Sequence, residues 1–253
     1  MDRAEGAVRA AVLIIGDEIL SGRTQDTNLR DIALYLGAHG VDLAEARTVP
    51  DVQEEIVAAL NALRGRYDYV ITTGGIGPTH DDITADAVAA AFDTELYEHP
   101  DILAMMTARW GDDINPARRR MARVPVGGEL VKNPVQGPPG FTIGNVFVLA
   151  GVPQIMRGML EDVGHRLRHG AVVVARTVRV EGSGESAIAA TLEGVAKAHP
   201  AMSLGSYPFF EAGGYGSNLV LRGRDPAEVN ATVDELIVAL RGAGVENVRA
   251  VEG

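Results

Sequence analysis

Six consecutive apolar residues, Ala10-Ala11-Val12-Leu13-Ile14-Ile15, end at Gly16. A run with no polar position on either face reads as a strand buried on both sides, the situation of a central strand in a parallel sheet. Such a strand needs helices above and below it, and the residues that follow supply them. Residues 28–36 carry apolar side chains at 29, 32, 33 and 36, which is helical spacing, and Gly37 and Gly40 end the helix. Residues 41–48 read as a second strand. Asp51 follows Pro50 where a helix N-cap belongs, and Val52, Ile56, Val57, Leu60 and Leu63 form the apolar face of the next helix. Residues 67–73 read as a third strand running into Gly74-Gly75. Helices are expected over 82–92 and 100–110, the latter with proline in its first turn. Residues 146–149 form a fourth strand, and Pro153 opens a helix reaching about Arg168. This alternation predicts an α/β fold: an open parallel sheet with helices on both faces.

After His169 the texture changes. Residues 172–180 alternate apolar and polar, as a half-exposed strand does. A helix is expected over 186–198, short strands over 202–206 and 218–221, a helix over 226–240 and a last strand over 245–251. Gly213-Gly214-Tyr215-Gly216 reads as a hairpin turn. The boundary falls near Gly170, which divides the chain into a larger domain, 1–170, and a small α+β appendage, 171–253.

Composition removes several functions. There is no cysteine, so disulfides, zinc–thiolate sites and thiol catalysis are excluded. The net charge of −11 has the wrong sign for neutralising a phosphate polymer, and the one basic cluster, Arg118, Arg119, Arg120 and Arg123, has no interleaved aromatics. Nucleic acid is therefore not an expected partner. No apolar stretch approaches the ~18 residues that a membrane span requires, and residues 1–9 show no signal-peptide pattern. The expectation is a soluble cytoplasmic protein.

The chemistry concentrates at Thr72-Thr73-Gly74-Gly75-Ile76-Gly77-Pro78-Thr79-His80-Asp81-Asp82, between a strand and a helix. Glycines let successive backbone N–H groups turn toward one point and let a ligand come close. The helix start adds unpaired N–H groups and a positive dipole end. Neither the Walker pattern nor the dinucleotide fingerprint is present, and the same glycines would also serve a plain tight turn. Thr73, Gly74, Gly75, Gly77 and Pro78 are the expected phosphate contacts. Gly16, Asp17 and Glu18 after the first strand lie on the same edge of the sheet, as does Asp51 after the second. Ala150-Gly151-Val152-Pro153 places Gly151 and Pro153 there too.

Asp81 and Asp82 stand together where a helix needs at most one cap. Two carboxylates beside an anion site repel phosphate unless a divalent cation intervenes, or unless one stays protonated as a general acid; a cap with a solvated spare is the alternative. Gln136-Gly137-Pro138-Pro139-Gly140-Phe141 is stiff and uncharged, suited to a wall or lid or to an ordinary connection. His80 and His99 lack metal-ligand spacing, Lys132 reads as an exposed lysine, and no Ser-His-Asp arrangement is legible.

Several of these motifs match a known family. Gly16-Asp17-Glu18-Ile19-Leu20-Ser21-Gly22, followed by Gln25-Asp26-Thr27-Asn28, resembles the opening of the competence/damage-inducible CinA proteins and of the molybdopterin-binding-like domain of FAD synthases. Thr73 to Thr84 is similar to both, with Ile76 and His80 nearer the FAD-synthase type. Gly137-Pro138-Pro139-Gly140-Phe141 and Gly151-Val152-Pro153 match later blocks, and Leu204-Gly205-Ser206-Tyr207-Pro208 resembles the relatives' appendage. The resemblance implies the three-layer α/β/α sheet of MoaB and Mog. It also implies a phosphorylated small molecule, a pterin or nucleotide diphosphate, on the glycine loop, and a homo-oligomer.

Asp51 and Asp82 fall at positions matching the acidic pair thought catalytic in Mog proteins. CinA-type and FAD-synthase-type domains are associated with metal-dependent cleavage of nucleotide diphosphates such as ADP-ribose or FAD, stimulated by cobalt and potassium. The expected machinery is therefore catalytic Asp82, Asp51 and Asp81, with Asp81 and Asp82 holding a divalent cation, cobalt or magnesium. A non-catalytic binding module and a molybdenum-cofactor enzyme are the other readings. The chain departs from its relatives at Ala150, where they carry proline. The deamidase domain of many CinA proteins and the adenylyltransferase domain of FAD synthases do not fit in 253 residues, so their activities are not expected.

Overall fold

The computed structural model describes residues 7–135 and 137–251. Gln136 of the proline-rich wall, the first six residues and the last two lie outside it. The chain forms two compact units, Met1–Gly170 and Ala171–Gly253.

In the first unit, β1 (Val8–Ile15) leads through a single turn, α1 (Asp17–Leu20), to α2 (Asn28–Ala38), β2 (Val41–Val49), α3 (Gln53–Arg64) and β3 (Tyr69–Thr73). Next come α4 (Thr84–Ala91), β4 (Leu96–Glu98), α5 (Pro100–Trp110), α6 (Pro116–Arg120), β5 (Arg123–Pro125), β6 (Glu129–Val131), β7 (Gly140–Ile143), β8 (Val146–Leu149) and α7 (Pro153–Gly164). The main sheet has the order β2-β1-β3-β8-β7-β6. Its first four strands are parallel, and β7 and β6 add to the edge antiparallel. The antiparallel edge and the small β4–β5 ribbon depart from the purely parallel expectation. The three-residue strands β4, β5 and β6 are too short to show a period of two, and β7 lacks the unbroken aliphatic run that marks β8, so the pattern does not announce them.

The central strands bury both faces because their residues alternate between two cores. Ala11, Leu13, Ile15 and Val70 pack with Ile56, Leu60 and Leu63 of α3 and Val88 of α4. Ala10, Val12, Ile14 and Ile71 pack with Ile32 and Leu36 of α2 and Met156, Leu160 and Val163 of α7. This is the expected three-layer α/β/α arrangement.

The second unit runs β9 (Val174–Glu181), α8 (Glu185–Ala198), β10 (Ser203–Glu211), β11 (Gly214–Gly223), α9 (Pro226–Gly242) and β12 (Asn247–Val251). Its antiparallel sheet has the order β10-β11-β9-β12, a split β-α-β arrangement. Val178, Val180, Leu219 and Leu221 face Ile188 and Leu236 of the helices. The β10–β11 hairpin is longer than its sequence signal: Glu211 pairs with Gly214 around Ala212-Gly213, and Tyr215 and Gly216 already lie in the strand. Pro208 is tolerated because β10 is an edge strand.

Leu13 is completely buried in the middle of β1. Leu13→Ala is expected to lower the unfolding free energy by about 2–5 kcal/mol through lost burial and the cavity left behind, read as a fall in the urea midpoint with an unchanged m-value.

Candidate functional site

The strand order places the site. β1 connects outward to β2 on one side, while β3 lies on its other side, so a crevice opens beyond the carboxyl ends of β1 and β3, the switch point where open α/β sheets receive ligands. The loops after β1, β3 and β8 meet there at backbone distance. Gly74 and Gly75 both have positive φ, 102° and 64°. A Cβ on Gly74 would run into the Ile15 carbonyl oxygen, and a Cβ on Gly151 would lie 3.2 Å from the Gly74 Cα. The loop is tied down at its base. The Gly74 N–H donates to the Leu149 carbonyl (3.3 Å), and the Thr84 hydroxyl donates to the Gly74 carbonyl (2.9 Å). The Thr84 N–H donates to the Gly75 carbonyl (3.0 Å), and the Asn28 side-chain amide donates to the Gly151 carbonyl (2.8 Å).

By contrast, the N–H groups of Gly75, Ile76 and Gly77 reach no acceptor among the described residues. Three successive unpaired amides on a left-handed turn make an anion-binding nest. All three residues line a cavity of about 460 Å³. The α4 N-terminus also reaches it, through Ala85.

Asp82, Glu18 and Gly151 line this cavity with the glycine loop. So do Gly137, Pro138, Pro139 and Phe141, which gives the proline-rich segment the role of a wall. Ile102, Met121, Val124, Ile155 and Met159 make most of the remaining surface apolar. Two arginines, Arg120 and Arg123, are present as well. Their sequence signal was the arginine cluster, whose interest a nucleic-acid criterion alone had removed.

Other expected residues lie elsewhere. Gly16 is buried at the end of β1, and Thr73 and Pro153 face a smaller neighbouring hollow of about 70 Å³. Pro78 and Asp17 are exposed.

The acidic residues are arranged differently from the expectation. α4 begins at Thr84, so neither Asp81 nor Asp82 caps it. Asp82 instead closes a turn: its Oδ2 accepts from the Thr79 N–H (2.8 Å) and from the Thr79 hydroxyl. Asp81 turns to solvent, its side chain 58% exposed. The nearby Thr79 hydroxyl, Asp81's own backbone N–H and His80 hold its carboxyl below the ordinary range. The pair is thus split, one carboxylate into the cavity and one out.

Asp51 does not cap α3 either. The N-cap is Val52, and the Asp51 carboxylate accepts the Asp17 N–H (2.9 Å), clasping the loops after β1 and β2. Burial, opposed by that hydrogen bond, raises its pKa, and the carboxylates of Asp17, Glu18 and Asp81 raise it further.

Among the described residues no group of three or more His, Asp or Glu side chains is placed to hold a metal ion. An all-protein cage is therefore missing. The donor set does suit a magnesium-type ion, which keeps its waters and is shared between one or two carboxylates and substrate phosphate oxygens. Among the described residues, Asp82 Oδ1 has no hydrogen-bond partner and stands free for that use.

The raised pKa of Asp51 sets a pH dependence. Folding stability associated with this group is fully present below its unfolded pKa near 3.8 and is lost as pH rises through the higher folded value. Asp51→Asn keeps an acceptor for the Asp17 N–H and removes the charge. It is expected to raise Tm at pH 7 by about 1–3 °C, with the gain vanishing at pH 3.5, read by thermal unfolding across pH.

Residues 11–169 match the family described as probable molybdopterin binding domain, and residues 173–249 match the FAD synthase middle domain. A CinA-like protein of Citrifermentans bemidjiense is 42% identical over 199 residues, 74% of this chain and 48% of that protein. The chain spans about half the length of the CinA-like relatives it matches first. A protein of Aeropyrum pernix is 34% identical over 79% of both chains. The crystal structure of CinA from Thermoplasma acidophilum, a protein whose function is given as unknown, is 34% identical with a TM-score of 0.60, covering 63% of this chain and 98% of that one. With the glycine nest at its sheet edge, the chain belongs to the molybdopterin-binding-domain family in its CinA-like form, carrying a FAD-synthase-type middle domain behind it.

Proposed function

We propose that this protein hydrolyses a nucleotide diphosphate, of the ADP-ribose or FAD kind, with the help of a divalent cation. The observation that supports this best is the meeting of three unpaired amides, Gly75 to Gly77, with the Asp82 carboxylate on one cavity. The amides would hold one phosphate. Asp82, with Glu18 on the same cavity, would hold cobalt or magnesium against the diphosphate; potassium is a further stimulant in the relatives' pattern. When bound, the cation supplies neutralisation of charge on the bridging oxygen and a more acidic water.

The reaction adds water across the P–O–P bridge. The water oxygen bonds to phosphorus, the bridging P–O bond breaks, and the two protons of water end on the two phosphate products or on solvent. Asp82 would hold the cation through Oδ1 while Thr79 fixes Oδ2, and the water proton would pass to a product phosphate or to solvent. The apolar wall of Ile102, Met121, Phe141 and Met159 takes an uncharged ring and keeps bulk water from the bridge. The proline-rich wall stiffens that enclosure. A homo-oligomer and a cytoplasmic location belong to the same reading.

A second reading is favoured by a specific observation, the lack of a three-ligand acidic cluster among the described residues: a pterin- or nucleotide-binding module without turnover. One assay separates the two. The full chain is incubated with ADP-ribose or FAD, with and without Co²⁺ or Mg²⁺, and AMP is measured. Metal-dependent AMP release supports hydrolysis; tight binding without release supports the binding module. Asp82→Asn keeps shape and removes charge. It is expected to lower the AMP-release rate by about 10²-fold or more while ligand binding stays within a few-fold. A wild-type rate in that variant overturns the role given to Asp82.

A further inference from the structure

The four arginines at residues 118 to 123 differ in what they touch. Arg119 pairs with Glu98. Arg123 makes a two-pronged bond to Asp86, at 2.8 and 2.7 Å, which ties β5 to α4. Arg118 lies over the Trp110 ring and donates to the Asp113 carbonyl. Arg120 is the exception. It is half-buried and lines the main cavity, yet no carboxylate among the described residues pairs with it. Its one hydrogen bond is from Nη2 to the Asp82 backbone carbonyl, at 3.2 Å, and its Nε is buried without an acceptor.

A guanidinium withdrawn from water and left without a counter-charge costs stability. In a protein of net charge −11, carboxylates are plentiful; Arg119 and Arg123 each pair with one, and Arg118 is engaged by a carbonyl and a ring, whereas Arg120 has one backbone carbonyl and a buried Nε with no acceptor. The bond to Asp82 fixes where Arg120 sits: its guanidinium is anchored one residue before the Ile83 cap of α4, across the cavity's acidic edge. That edge repels anions, and the amides of Gly75 to Gly77 have only partial charges to offset it. A planar cation with unused donors is the group that recognises phosphate oxygens through paired hydrogen bonds.

We infer that Arg120 is a binding and specificity residue for the second phosphate of a diphosphate ligand whose first phosphate rests on the Gly75–Gly77 amides. This rests on the phosphate-binding reading of the loop. It adds a division of labour: a monophosphate uses the loop alone, while a diphosphate uses loop and arginine together. Arg123, held by Asp86, contributes position to the wall rather than charge to the ligand.

The test is calorimetric titration of the full chain with AMP and with the non-hydrolysable α,β-methylene-ADP, in one buffer containing Mg²⁺. Arg120→Ala is expected to weaken α,β-methylene-ADP about tenfold or more, as loss of a charge-assisted contact does, and AMP by less than about threefold. Added guanidinium at millimolar concentration is expected to restore affinity for the diphosphate, a rescue that loss of packing would not allow. Equal losses for the two ligands, or no loss for either, would overturn the assignment of Arg120 while leaving the loop's role standing. A wild-type protein that binds neither ligand would overturn the loop reading and this inference with it. Should Arg120→Ala not fold, Arg120→Lys carries the test: a loss confined to the diphosphate supports the inference, and an equal loss for both ligands overturns it.

Discussion

The ends of β1, β3 and β8 are pressed together closely enough that no side chain fits between them. Gly74 sits on the Ile15 carbonyl, and Gly151 sits on Gly74. This contact depends on two positive-φ glycines in a row, a conformation that L side chains avoid. Its consequence is electrostatic. The carbonyls of Gly74 and Gly75 turn inward to Thr84, while the amides of Gly75, Ile76 and Gly77 have no partner among the described residues. An unpaired backbone N–H is tolerated only where water or a ligand can reach it, so the same packing that closes the sheet edge leaves these amides facing the cavity.

Around that nest the protein has placed charge of both signs at different depths. Asp51 is drawn in among other carboxylates and clasps the Asp17 backbone, at some cost in ionisation. Asp82 keeps one oxygen occupied by Thr79 and the other without a partner among the described residues. Asp81 lies out in solvent. Arg120 bridges back to the Asp82 carbonyl from α6, an element that shares no strand with the glycine loop. The cavity between these groups is mostly lined by apolar side chains, which raises the weight of each of the few charges it contains. A ligand with a charged end and an uncharged ring fits this division better than a uniformly polar one.

Much of this was legible before any coordinates. The apolar run at 10–15, the helical spacing at 28–36 and the Gly74-Gly75 turn each carry a local signal strong enough to stand alone. The motif at 73–84 marked the glycine loop at the carboxyl end of β3. What misled was capping logic. An aspartate just ahead of an apolar helical face looks like a cap, yet Asp51 bonds a loop 34 residues away and Asp82 bonds Thr79. A short acceptor side chain serves whichever N–H lies nearest, and that is a matter of loop path. Arg120 was hidden for a related reason: four arginines in six residues look alike in sequence, and only their partners tell them apart.

The sequence by itself determined the layers, the division near Gly170 and the location of the glycine loop at a strand's carboxyl end, because hydrophobic periodicity and glycine's freedom at positive φ act over a few residues. Only the tertiary structure decided that Asp82 and Glu18 line the cavity while Asp81 turns to solvent, that Arg120 lines it with a buried Nε lacking an acceptor among the described residues, and that the segment around Pro138 walls the same hollow. Those outcomes depend on distances between residues far apart in the chain, set by strand order and loop approach, and no local pattern encodes them.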